Sequence, residues 1–478
     1  MLRSRLRVLA VALLLPAVLP ACGGGGGGAG GPAGVIPAKV VSNPTATPAG
    51  RPSAAPTASS GPMPTPPLAP TPTPGGMPTP IATPTPIAAP TPSSPLTIPT
   101  THVQTATYLW SSTEAATAPT TYAPYLTWAY PLYNNMPATH QAGIKTIVYM
   151  DPVMPRPSSY EYTDLSGTYA SVRATDCSGN VITTYSGTGL LADPRAPLSS
   201  AYYSDIVNWY IRNKLAPYSY TQDWDAMFVD NNGQLYGASA TPCNYTPAAW
   251  GQAFDAAISG ISQKFITNSL ATADSRVQTY VNYLTPSNVI GGEFEECFTN
   301  GEWTAEEDSQ LETVALFKSE GKAPSPAWWC FVDNSSVDGA TVLPLRLFAY
   351  ASFLLTYDPN YSLFQEAFST SPSTFQVFPE TGFVPLYPAS VPSGIAGLQS
   401  STGAYVQSYS ACYYRGSLVG ACEIVVNPTS STVSVPNPKG LAHSMVLSGD
   451  GVLDGGSVSF SGAAASSLAP QTAAILVP

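Results

Sequence analysis

The sequence predicts an α/β fold: a (β/α)8 TIM-type barrel followed by an all-β sandwich domain. Three observations lead there. Short apolar runs closed by polar turn residues alternate with longer segments of helical spacing, the pattern of a parallel sheet wrapped in helices. Two runs, Ala226-Met227-Phe228-Val229 and Val289-Ile290-Gly291-Gly292, stop on acids, Asp230 and Glu293-Phe294-Glu295-Glu296. Acids at the C-terminal ends of parallel strands lie where such barrels keep their chemistry. After about Pro392 only short strands separated by Gly, Pro, Asn and Asp remain.

In chain order, Gly143–Asp151 reads as an early strand and Tyr169–Thr175 as another. Ser200–Leu215 reads as a helix leading into strand Trp224–Asp230. Pro247–Leu270 carries Trp250, Phe254, Ile258, Ile261 and Phe265 on one stripe and reads as a long helix. Val277–Tyr283 and Val289–Glu293 read as strands, Leu311–Lys318 as a helix and Trp328–Val332 as a strand. Leu345–Phe353 is a helix and Leu354–Tyr357 a last strand. The barrel is expected over 103–385. The sandwich is expected over 393–478, with strands at 404–409, 420–427, 432–435, 444–447, 457–460 and 473–477.

Ahead of the barrel, Arg3, Arg5 and Arg7 precede an apolar stretch, Val8–Val18, too short to span a bilayer. Leu19-Pro20-Ala21-Cys22 resembles the lipobox of bacterial lipoproteins, so 1–22 is expected to be a leader and Cys22 the lipidated residue. Gly23 follows the cysteine, and the expected location is the outside of the cell envelope, the outer membrane where the host has two. Residues 23–100 hold no aromatic residue and 21 of the 50 prolines. They cannot bury enough apolar surface to offset ordering, so 23–102 reads as a linker.

Composition narrows the chemistry. Only 10% of residues are charged, against a norm near 25%, so acids at two strand ends are conspicuous. Net charge is −11, which argues against nucleic acid as a partner. Three histidines far apart leave little for a Ser-His-Asp triad or a histidine metal site, and neither metal nor cofactor is expected. Six cysteines beyond Cys22 suit three disulfides in an exported protein, expected as Cys177–Cys243, Cys297–Cys330 and Cys412–Cys422.

Two carboxylates and no cofactor are the usual equipment for cutting a glycosidic bond. Phe228-Val229-Asp230-Asn231, the Gly291-Gly292 strand ending in glutamates, and Val425-Val426-Asn427-Pro428 resemble a bacterial group of TIM-barrel glycoside hydrolases with a C-terminal β-sandwich. The resemblance spans roughly 103–478. It implies a sugar-cleaving barrel whose working residues are the acid after the fourth strand and one near the sixth.

Strand alternation puts Asp230 with Phe228 on one face, toward the mouth. It puts Glu293 and Glu295 opposite Phe294 and Phe298, with Glu295 the first choice as proton donor and Glu293 the second. Asp151, Asn231, Asn282, Asp193 and Arg195 sit at or after strand ends and are candidates to bind sugar hydroxyls; Trp329 is a candidate stacking face. The expected substrate is an extracellular or cell-surface polysaccharide. The rival expectations are a sugar-binding surface lipoprotein without activity and a structural surface protein with no sugar site.

Overall fold

A computed structural model describes residues 101–109, 118–218, 224–232, 235, 237–268, 284–298, 303–333, 342–367, 377–437 and 439–478. The leader, Cys22, the proline-rich linker and Asn282 lie outside the described residues.

Eight parallel strands close a barrel in sequence order: β1 Gln104–Leu109, β2 Trp128–Pro131, β3 Lys145–Met150, β4 Ala226–Val229, β5 Phe265–Thr267, β6 Val289–Glu295, β7 Trp328–Asp333 and β8 Ser362–Ala367. These strands are buried on both faces, which is why they read as continuous apolar runs rather than alternating ones. Aromatic rings fill the interior. Tyr108 stacks on Tyr130 at 4.6 Å, and Tyr130 meets Phe228 at 5.5 Å and Trp329 at 5.4 Å. Gly291 is required by a close approach: a Cβ there would lie 1.9 Å from the carbonyl oxygen of Pro326, in the segment leading into β7.

The surrounding helices are α1 Met136–Gln141, α2 Tyr160–Ser166, α3 Ser199–Tyr210, α4 Pro247–Ile258, α5 Trp303–Ser319 and α6 Val342–Leu355. Local signals explain their ends. Thr246 caps α4 by accepting from the Ala249 amide at 3.2 Å with Pro247 at the first helical position, and Ser159 caps α2 through the Tyr162 amide.

Several expectations are corrected. Tyr169–Thr175 is no barrel strand; it holds a 3-10 turn, Ala170–Val172, and isolated antiparallel bridges at Arg173 and Thr175, within a long excursion between β3 and β4. The predicted helix Pro247–Leu270 ends at Ile258, and its last apolar residues form β5 instead. Ile261 and Phe265 continue the helical spacing by coincidence, and the Gly260 break decides the outcome. The last strand is Ser362–Ala367, because Leu354 still belongs to α6. Strands β1 and β2 are further elements that the apolar pattern did not reveal. The expected strand Val277–Tyr283 lies outside the described residues.

The C-terminal part is one six-stranded antiparallel sheet: β9 Phe383–Pro388, β10 Tyr405–Tyr414, β11 Ser417–Asn427, β12 His443–Ser448, β13 Ser457–Ala463 and β14 Thr472–Val477, in the order β9-β10-β11-β14-β12-β13. Its first strand precedes the expected boundary near 393. One face packs on α6, where the Tyr409 hydroxyl donates to the Leu354 carbonyl at 2.6 Å. The other covers Ala404, Val425, Leu468 and Leu476 beneath a two-stranded ribbon of Val433–Ser434 and Ser467–Leu468. The second layer is that ribbon rather than a full sheet.

All three expected disulfides are present. Cys412–Cys422 ties β10 to β11, and Cys177–Cys243 joins two loops 66 residues apart in sequence. Cys297–Cys330 departs from a loop staple at the mouth: Cys330 lies mid-strand in β7, buried on the barrel's outer wall. Each contributes about 2–4 kcal/mol by restricting the unfolded chain. Among the described residues no helix is long and apolar enough to cross a membrane.

Candidate active site

Four adjacent strands carry the site at their C-terminal ends. Asp151 follows β3, Asp230 follows β4, Asn268 follows β5, and Glu295 ends β6. The backbone ladder runs one residue past the strands and fixes the first residue after two of them. The Asp230 amide donates to Met150 at 3.0 Å and the Asn268 amide to Val229 at 2.8 Å.

Asp230 is 7% exposed and its carboxylate accepts three hydrogen bonds. Oδ1 takes the Asn231 backbone amide at 2.7 Å and Asn268 Nδ2 at 2.8 Å, while Oδ2 takes the Tyr149 hydroxyl. Asn231 holds φ +60°, the left-handed region that asparagine tolerates better than most residues. That turn lets its side chain reach Asp151 Oδ2 and the Tyr185 hydroxyl, each at 3.1 Å. Tyr185 also donates to Asp151 Oδ2, and the Met154 amide to Oδ1 at 3.0 Å. The Arg156 guanidinium lies over the Tyr185 ring at 4.1 Å.

On the other side, Asn268 Nδ2 donates to Glu295 Oε2 at 2.7 Å. One amide nitrogen therefore serves both carboxyls, one hydrogen to each. Since it lies 2.8 Å from one oxygen and 2.7 Å from the other, those oxygens are at most ~5.5 Å apart. Tyr185, Asp151, Asn231, Asp230, Asn268 and Glu295 thus form a continuous chain in which asparagines space three carboxyl groups.

Electrostatics follow from burial and crowding. Burial raises Asp230 above the ordinary aspartate range, while its bonds from Tyr149, Asn268 and Asn231 oppose the rise. Burial, then the charge of Asp230, pushes Asp151 up to about 8. Glu293, 1% exposed and one inward position below Glu295, is held well above the glutamate range by burial, then by Glu295 and Asp230.

These shifts carry a sign for stability. A carboxyl whose folded pKa is raised binds its proton more tightly in the native state. Its contribution is complete below the unfolded pKa and is lost as pH rises through the folded value. For Asp151 the window runs from about 4 to about 8. The unfolding midpoint is therefore expected to fall between pH 5 and pH 8, and Asp151→Asn to flatten the decline. A wild-type midpoint that rises across this interval would contradict the assignment.

The expected residues divide clearly. Asp230, Glu295, Glu293, Asp151 and Asn231 come together at the mouth. Asp193 and Arg195 do not: Arg195 grips Asp193 through Nε at 2.8 Å and a terminal nitrogen at 2.7 Å, and donates to the carbonyls of Cys243 and Asn244. That pair clamps the Cys177–Cys243 loop rather than facing a ligand. Trp329 has no exposed surface and belongs to the barrel's aromatic filling, so it offers no stacking face. Sequence reasoning missed Asn268, Tyr149 and Tyr185. Only Asn268 left a signal, the run Phe265-Ile266-Thr267 closed by a turn former, hidden within the helical stripe. Among the described residues no three His, Cys, Asp or Glu side chains are grouped so as to hold a metal ion.

No family model and no curated protein matches this sequence. Solved structures with a similar chain path include the glycoside hydrolase domain of PelA from Pseudomonas aeruginosa: 11% identity, 55% of this chain and 94% of that one, TM-score 0.35. A noncanonic maltogenic alpha-amylase, AmyB, from Thermotoga neapolitana is 7% identical over 79% of this chain and 99% of that one, TM-score 0.38. Amy13B of Eubacterium rectale is 7% identical over 80% and 96%, TM-score 0.42. None of these likenesses bears on which residues react here.

Proposed function

We propose that the chain is a glycoside hydrolase that cleaves an O-glycosidic bond in an extracellular or cell-surface polysaccharide with retention of configuration. The observation that carries this is the Asn268 amide shared by Asp230 and Glu295. Retaining enzymes hold their two carboxyls about 5–5.5 Å apart, whereas inverting ones leave ~6.5–9.5 Å for a water.

Asp230 is the nucleophile. Three donors favour its ionised form and aim it into the mouth. Glu295 is the acid and then the base. Its proton passes to the leaving oxygen as an Asp230 oxygen attacks C1 and the glycosidic bond breaks, forming a glycosyl ester. Water, losing a proton to Glu295, then attacks C1 and frees Asp230. Asp151 and Asn231 line the same cleft and bind sugar hydroxyls. The lipobox at Cys22 and the three disulfides support an exported, lipid-anchored enzyme.

The test is a panel of bacterial, plant and host polysaccharides scored by new reducing ends, with Glu295→Gln beside wild type. Cleavage by wild type and its loss in the variant are expected. Binding without cleavage by wild type would favour the sugar-binding surface protein instead.

A further inference from the structure

The mouth holds a cation that the two-carboxylate chemistry leaves unused. Arg156 lies between β3 and α2, and its backbone is pinned on both sides. Pro155 and Pro157 flank it; the Pro155 carbonyl accepts from the Leu190 amide at 3.2 Å and the Arg156 carbonyl from the Ser159 amide at 2.9 Å. The guanidinium rests on the face of the Tyr185 ring, 4.1 Å from its centre. The hydroxyl of that ring meets Asp151 Oδ2 and Asn231 Nδ2, each at 3.1 Å. The cation is therefore one tyrosine ring away from the two groups assigned to sugar hydroxyls, about the width of a pyranose. Its charge also reaches Asp230: burial raises that carboxyl, and Arg156 is among the groups that oppose the rise. Arg156, Tyr185, Asp151 and Asn231 all keep part of their surface open to solvent, so none of them is sealed inside the barrel.

The other described arginines are committed. Arg195 grips Asp193, Arg346 grips Glu380, Arg212 faces Asp205, Arg173 donates to the Ala170 carbonyl and Arg415 to the Tyr125 hydroxyl. Among the described residues no carboxylate pairs with Arg156, and its Nε is buried without a partner. In a chain with 29 acids against 18 lysines and arginines, that is unexpected. Tyr185 covers one face of the guanidinium and leaves the terminal N–H groups, whose parallel geometry fits the two oxygens of a carboxylate. The acids nearby oppose such a ligand less than their number suggests. Burial, then Asp230, pushes Asp151 up to about 8, and Glu293 is held well above the glutamate range by burial, then by Glu295 and Asp230. Glu295 carries a proton in the proposed mechanism, so of these four carboxyls Asp230 is the one left fully charged at neutral pH.

We propose that Arg156 binds the carboxylate of a hexuronic acid residue in the sugar chain lying across Asp151 and Asp230, so that the substrate is an acidic polysaccharide. This rests on the glycosidase reading and deepens it, assigning the Arg156–Tyr185 side of the cleft to recognition of an anionic sugar.

The experiment compares the full-length protein with Arg156→Gln and Arg156→Lys. Calorimetric affinity and kcat/KM are measured on polygalacturonate, polyglucuronate and hyaluronan, on the same polymers after carboxyl reduction to neutral sugars, and on a sulfated galactan. Wild type is expected to prefer at least one uronate polymer over its reduced counterpart by at least ~10-fold. Arg156→Gln should lower that acid-over-reduced ratio by at least ~10-fold, and Arg156→Lys, which keeps the charge without the fork, should fall between. Added salt should weaken the wild-type preference and leave that of Arg156→Gln unmoved. If Arg156 merely braces Tyr185, Arg156→Gln lowers acidic and reduced substrates alike; an unchanged ratio overturns the proposal. A wild-type preference for the sulfated polymer over every uronate overturns the carboxylate assignment. Wild type that acts on neutral polymers and rejects uronates overturns the Arg156 role alone. Wild type that neither binds nor cleaves any polysaccharide overturns the reading beneath it.

Discussion

Asp230→Asn is expected to lower kcat by roughly 10³–10⁵-fold while leaving the unfolding midpoint nearly unchanged. The substitution preserves volume and keeps an oxygen for the Asn231 amide or for Asn268. What it removes is the negative charge that the three donors hold and that the proposed mechanism uses to attack C1. KM should move little, because the proposed mechanism assigns the sugar's hydroxyls to Asp151 and Asn231. A variant with half of wild-type kcat would remove Asp230 from the chemistry and with it the dyad.

Arg346→Met is expected to carry the largest stability effect, about 3–5 kcal/mol of destabilisation. Arg346 on α6 and Glu380, in the segment entering β9, both lie fully buried. The guanidinium meets the carboxylate through two nitrogens at 2.8 and 2.6 Å. A third nitrogen donates to the Gly449 carbonyl at 2.9 Å, and the group rests 4.4 Å above the Phe378 ring. The contact joins a barrel helix to both ends of the C-terminal sheet. Removing the cation strands a buried carboxylate, with Glu366 close enough to add like-charge repulsion. Replacing both partners, as in Arg346→Met with Glu380→Leu, should recover most of the loss because no orphaned charge remains. Equal midpoints for wild type and the single variant would show that the pair is not what holds the two parts together.

How much of this was legible follows from the forces that set each element. β4 and β6 were readable because both their faces are buried and their ends are charged, in a chain that spends charge sparingly. The inward direction of Asp230, Glu293 and Glu295 followed from period-2 alternation alone; Phe294, packed outward on Trp328 at 6.1 Å, agrees with it. β5 is three residues long, too short to outvote a helical stripe of Trp250, Phe254 and Ile258 running into it. With β5 went Asn268, the residue that sets the carboxyl spacing. Tyr149 and Tyr185 could not be singled out in a chain with 27 tyrosines. Arg195 misled for a related reason. A charged residue after a strand fits a ligand or a loop clamp equally well, and only the Cys243 and Asn244 carbonyls decide between them.

The most direct test of the two-carboxylate account is the anomeric configuration of the first product, followed by proton NMR before mutarotation blurs it. The Asn268 nitrogen holds one oxygen of each carboxyl within ~5.5 Å of the other, short of the ~6.5–9.5 Å separation that an inverting pair keeps. The expected product has the same configuration as the bond cleaved, formed through an ester on Asp230. A first product of opposite configuration would require a water-sized gap between the carboxyls and would contradict it.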